Sequence, residues 1–155
     1  MRNNKFKQLN GKNLKIAITQ ARFNQKITDG LLNGALKALK ESGIQDKNIK
    51  VFQVPGSFEI PVFCQSLAKS KKFDGIITIG AVIQGQTAHF EYISKAVTDG
   101  IIRVSLDYNL PVAFGVITVY NIKQAQKRSG SDKGNKGYEA AMALVELITE
   151  INKIK

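Results

Sequence analysis

The chain has 155 residues, 43% of them hydrophobic, which allows one domain with a real core and excludes a disordered chain. Its one cysteine, Cys64, excludes an internal disulfide and suits a reducing compartment. The net charge of +11 is almost all lysine, with arginine only at Arg2, Arg22, Arg103 and Arg128. The planar forks that base-reading surfaces favour are therefore scarce, and the excess reads as solvated lysine.

The first fifteen residues hold no apolar stretch fit for a signal peptide, and no run in the chain is long enough to cross a bilayer, so a cytoplasmic protein is expected. Lys5, Lys7, Lys12 and Lys15 near the start read as solvating a flexible arm or an edge strand, and residues 1–12 are expected to be loose or to add a strand to a neighbouring subunit. Residues 14–19 (LKIAIT) follow the turn signal Asn10-Gly11 and read as the first strand. Asn24 offers an N-cap to a helix whose Ile27, Leu31, Ala35 and Leu39 recur at helical spacing, and Gly43 ends it. Residues 49–54 form the second strand, stopped by Pro55-Gly56. A helix over about 58–69 follows, with Pro61 tolerated only in its first turn.

Residues 75–83 (GIITIGAVI) are apolar at nearly every position, the mark of a central parallel strand covered on both faces. The next helix runs from about His89 to Tyr108, and a fourth strand spans 111–118 (PVAFGVIT). Helices over about 122–128 and 136–151 close the chain around the polar loop 129–135. Strand and helix alternate throughout, so the fold class is α/β: a flavodoxin-like three-layer αβα sandwich on a four-stranded parallel sheet, in a single domain.

Ligands of open parallel sheets bind at the carboxyl ends of the strands. The residues that fit no packing logic fall there: Arg22, Phe23 and Asn24 after the first strand, Ser57, Phe58 and Glu59 after the second, and Gln84 to His89 after the third. Gly85-Gln86-Thr87 is a glycine-containing turn opening a helix, where backbone N–H groups favour an anion. Each residue also has an ordinary reading. Thr87 suits a helix cap, Glu59 complements a helix dipole, Phe23 anchors a loop, and Arg128 and Lys136 solvate a face. Their concentration on one rim carries more weight than any one of them.

These residues carry a resemblance. Arg22-Phe23-Asn24, Val54 to Pro61 (VPGSFEIP), Gly80 to Ile83 with Thr87 to Tyr92 (TAHFEY), Pro111 to Val116, and Gln124 through Arg128 to Gly137 occur in this order over nearly the whole chain. Together they are similar to the lumazine synthases of riboflavin biosynthesis. The resemblance implies condensation of 5-amino-6-(D-ribitylamino)uracil with 3,4-dihydroxy-2-butanone 4-phosphate to 6,7-dimethyl-8-ribityllumazine, with release of phosphate and water and with no metal or organic cofactor. It implies that Phe23 stacks on the pyrimidine, that Ser57, Phe58 and Glu59 hold the uracil and ribityl chain, and that Ala81, Val82 and Ile83 line the pocket with backbone groups. It further implies that Gly85, Gln86, Thr87 and Arg128 seat the phosphate, that His89 is catalytic as the proton carrier, that Lys136 lies near, and that Phe114 and Arg128 reach in from an adjacent subunit. Homopentamers are implied as well, in some members packed as an icosahedral 60-mer shell with riboflavin synthase as an enclosed partner.

The chain departs from the family at Gln84, where arginine is frequent, at Ser57, where alanine is common, and at Ser131-Asp132-Lys133. The residues themselves leave two other readings open. A flavodoxin-like electron carrier would want a hydroxyl-rich loop where Gln20-Ala21-Arg22-Phe23 stands. A basic nucleic-acid module would bind with steep salt dependence.

Overall fold

The computed structural model describes residues 6, 7, 9–132 and 134–155. Runs rich in β-branched residues form four strands, β1 (Ile16–Ala21), β2 (Ile49–Val54), β3 (Gly75–Ile83) and β4 (Val112–Val119). Five helices connect and close them: α1 (Gln25–Glu41), α2 (Ile60–Ser70), α3 (His89–Tyr108), α4 (Ile122–Ser129) and α5 (Lys136–Asn152). The sheet is parallel throughout, in the order β2-β1-β3-β4. This is the predicted α/β three-layer sandwich with flavodoxin-like topology. Among the described residues, no helix is long and apolar enough to cross a membrane.

Helices cover both faces, so the sheet divides two cores. Ile16, Ile18, Ile77, Ile79 and Ile117 face α1 and α5, whose Leu31, Leu39, Leu144 and Val145 are buried with them. Ala17, Ile76 and Val116 face α2 and α3, against Ile60, Cys64, Leu67, Val97, Ile101 and Val104. Alternate side chains of each strand thus enter opposite cores, which is why β3 reads as an unbroken apolar run.

Several local expectations shift. The first strand begins at Ile16, two residues late. The Leu14 N–H closes a turn onto the Gly11 carbonyl and the Lys15 N–H donates to Asp74, so neither is left for the ladder. The helix over 58–69 begins at Ile60, after a single 3-10 turn at Ser57–Glu59, and Pro61 does lie in its first turn. Thr87 is not the cap of α3. That position is Ala88, and Thr87 only accepts from the His89 N–H at 3.4 Å.

Asn24 is corrected most. It stands at the N-cap of α1, but with left-handed backbone (φ 59°) and no side-chain capping bond. Its Nδ2 instead donates to the Ala81 carbonyl at 3.0 Å, across the end of the sheet. Of the N-terminal arm, Phe6 and Leu9 pack partly buried against the α1–α5 core. Lys5 and the residues before it lie outside the described residues, as does Lys133.

Candidate active site

In the order β2-β1-β3-β4, connections leave β1 and β3 toward opposite faces, which opens a crevice between their carboxyl ends. β1 pairs with β3 only as far as Gln20 and Ile79, so Gly80–Ile83 runs on beyond β1. The β1-facing backbone edge of that extension opens onto the crevice, bridged at Ala81 by the Asn24 carboxamide. Ala81 and Val82 are themselves buried and Ile83 half-buried, so what they present to the crevice is main chain.

Two aromatics stand out of this rim. Phe23 is 70% exposed and Phe58 59% exposed, an arrangement that packing within the chain does not reward. The loop under Phe23 is rigidly tied: the Arg22 N–H donates to the Val54 carbonyl and the Phe23 N–H to that of Pro55. The ends of β1 and β2 therefore hold Phe23 and the Ser57–Glu59 turn side by side. Ser57 is buried, and its Oγ occupies the space a Cβ on Gly80 would need. The Glu59 carboxylate lies over Gly56.

Across the crevice, Gln84 to Ala88 is exposed, and His89, also exposed, is the first residue of α3. Gly85 has open space where a Cβ would stand and no left-handed φ. Nothing in the chain itself requires a glycine there, and its bare backbone leaves room for a group approaching from outside.

Phe114, Arg128 and Lys136 are not on this rim. They line a separate cavity of about 230 Å³ along the open edge of β4, with Gly115 to Thr118. Phe114 is 44% exposed there. Arg128 donates to the Gln124 carbonyl in its own helix, and Lys136 pairs with Glu139 at 2.6 Å. The single rim read from the sequence is thus two surfaces of one chain. The physical reason is topological: Phe114 sits on the third residue of an edge strand, and Arg128 and Lys136 bracket the loop beside that edge.

Two polar supports were not read from the sequence. Gln20, buried in β1, donates through Nε2 to Asp29 at 2.7 Å and Thr28 at 3.3 Å, and its Oε1 accepts from Gln53 at 3.2 Å. This joins β1, β2 and the first turn of α1 beneath the Phe23 loop. A glutamine amid apolar strand neighbours was the available signal, because a buried carboxamide must find partners. The second support is Asn135, buried at the start of α5. Cys64 is no part of the site. It is fully buried with its Sγ 3.8 Å from Thr19 Oγ1, and burial pushes the thiol up to about 12.

The family model for 6,7-dimethyl-8-ribityllumazine synthase matches residues 13–152, nearly the whole chain. The chain belongs to that family. Its members are enzymes of riboflavin biosynthesis, transferases acting on small molecules, and the β1–β3 crevice is where this fold binds ligands. Among solved structures, the chain is similar to a GDP-L-fucose synthetase from Naegleria fowleri, with a TM-score of 0.42 and 11% identity. The match covers 98% of this chain and 47% of that one, so the chain spans about half its length. A likeness that slight carries no argument about function.

Proposed function

We propose that the chain condenses 5-amino-6-(D-ribitylamino)uracil with 3,4-dihydroxy-2-butanone 4-phosphate to 6,7-dimethyl-8-ribityllumazine, releasing phosphate and water. The observation that carries this reading is the pair of exposed aromatics, Phe23 and Phe58, held at the sheet's switch point opposite an open glycine turn and His89. A flat heterocycle and a phosphate are the two ligand types such a crevice suits. Phe23 stacks on the pyrimidine, which contributes about 1 kcal/mol beyond burial for an aromatic pair. Main-chain groups of Ala81 to Ile83 meet the ring edge, and Ser57, Phe58 and Glu59 hold the ribityl chain. Gly85, Gln86 and Thr87 seat the phosphate with backbone N–H groups.

In the reaction the uracil's amine attacks the ketone, water and phosphate leave, and the second ring closes with loss of water. Each step moves a proton, and His89 carries it, for a contribution of about a hundred- to ten-thousand-fold. Orientation of the two substrates supplies more, roughly 7 kcal/mol or above. No metal or organic cofactor enters these steps.

The phosphate seat lacks a cation from its own turn, since Gln84 stands where arginine is frequent in the family. Arg128 supplies it from a second copy. The β4 edge with Phe114, Arg128 and Lys136 completes the crevice of its neighbour, so the site is composite. Exposed Ile102, Leu106 and Tyr92 on α3 supply further apolar surface for association. The assembly is a homopentamer in the cytoplasm. Twelve pentamers closing as an icosahedral shell, with riboflavin synthase enclosed, extend the same reading, as does an arm over residues 1–12 shared between subunits.

The test is direct. Mixing the two substrates with the protein is expected to produce lumazine fluorescence and free phosphate together. Absence of both under saturating substrates would sink the reading, and light scattering gives the particle size.

A further inference from the structure

We infer that Asn135 is a positioning residue for the Arg128–Lys136 half of the site, acting as a clamp as well as a helix cap. The inference rests on the composite-site reading above. Asn135 is 3% exposed. Its Nδ2 donates to the Gly130 carbonyl at 2.8 Å and to the Gly30 carbonyl at 2.9 Å, while its Oδ1 accepts from the Tyr138 N–H at 3.0 Å. One carboxamide, with both its N–H groups and its oxygen engaged, therefore fixes the residue that ends α4, begins α5 and ties both to the flank of α1. Arg128 lies two residues before one of these anchor points, and Lys136 directly follows Asn135 itself.

The surface of α1 is cut to receive this loop. A Cβ on Gly30 would run into the Ser129 carbonyl, and one on Gly34 into the Asn135 carboxamide. Neither glycine has the left-handed backbone that would itself call for glycine. Both lie inside a helix, where glycine costs about 1 kcal/mol relative to alanine. What they provide is space, and the space is filled by Ser129 and Asn135. The same helix starts at the Phe23 loop, so α1 supports the rim half at its end and the edge half on its flank.

An N-cap alone would not need this. Aspartate caps as well as asparagine, but its carboxylate has no N–H for the Gly30 and Gly130 carbonyls. Asn135→Asp therefore separates the clamp from the cap. Gly34→Ala is the complementary variant: it leaves every candidate side chain unchanged and displaces the carboxamide from the other side.

Steady-state kinetics with the two substrates decide the matter. In both variants KM for the butanone phosphate is expected to rise by about ten- to a hundred-fold, the scale for misplacing a binding group by about an ångström. KM for the ribitylaminouracil is expected to stay within about twofold, because its contacts lie on the rim. Arg128→Ala is expected to reproduce the shift and to add little on top of Asn135→Asp. Folded variants with both KM values unchanged, or with both raised together, would overturn the inference. Wild-type protein that forms no lumazine would instead reject the underlying reading. Should Asn135→Asp fail to fold, Gly34→Ala carries the decision, since its Cβ meets the Asn135 side chain rather than backbone and leaves Asn135 itself unchanged.

Discussion

Phe23 and His89 face the same crevice with different chemistry, one an exposed aromatic ring and the other an exposed imidazole at the start of α3. Phe23 stood out as an aromatic in a polar turn, and its 70% exposure agrees with that oddity. His89 stood out only by place, as the lone histidine opening a helix at a strand's carboxyl end. Exposure of Ser57 could not be read the same way: its burial depends on Gly80, which removes the side chain that would have displaced it. Phe23→Ala is expected to raise KM for the uracil substrate by about tenfold through the lost stack, with kcat changed less. His89→Ala is expected to lower kcat by about a hundred- to ten-thousand-fold while leaving a measurable rate, read in the fluorescence assay. Cys64 provides a control on the core. Its thiol ionises near 9.0 when unfolded and near 12 when folded, so the unfolded state releases its proton first as pH rises. This contribution to stability is complete below pH 9.0 and falls away above it. Native protein at pH 8 is expected to resist thiol alkylation that proceeds rapidly in denaturant.

At the scale of elements, β3 and the helices were legible because period and burial agree along them. The start of β1 was not, because a turn closed by Gly11 and a side chain from Asp74 decide where pairing begins. Asn24 shows the same limit more sharply. Asparagine serves both as an N-cap and in left-handed backbone, and the choice is made by a carbonyl 57 residues away. Asn24→Ala loses that bond and strains the backbone. A loss of about 1–3 kcal/mol is expected in denaturant melts, with Asn24→Gly recovering part of it. Gly137 carries a comparable message for α5: a Cβ there would strike the Leu31 carbonyl of α1. Gly137→Ala is expected to destabilise by about 1–3 kcal/mol despite its better helix propensity.

For the whole molecule, the sheet order places the rim and the β4 edge apart, and no spacing in the sequence encodes that separation. Local pattern could mark Arg128 and Lys136 as flanking a polar loop, while Phe114 entered only through the resemblance, and strand order alone decides that all three sit on an edge. In the proposed reading, which follows the resemblance to the lumazine synthases, the two surfaces meet between neighbouring copies of the chain. A composite site makes activity a property of neighbours in a ring, where each interface joins one surface to a different one. Two variants isolate the halves: Phe23→Ala with His89→Ala disables the rim, and Phe114→Ala with Arg128→Ala disables the edge. Each alone is expected to be nearly inactive. Co-expressed in equal amounts, they are expected to recover about a quarter of wild-type turnover, since half of the rims and half of the edges are intact and combine at random. Co-assembled protein with no more activity than the mean of the two variants alone would contradict a site shared between subunits.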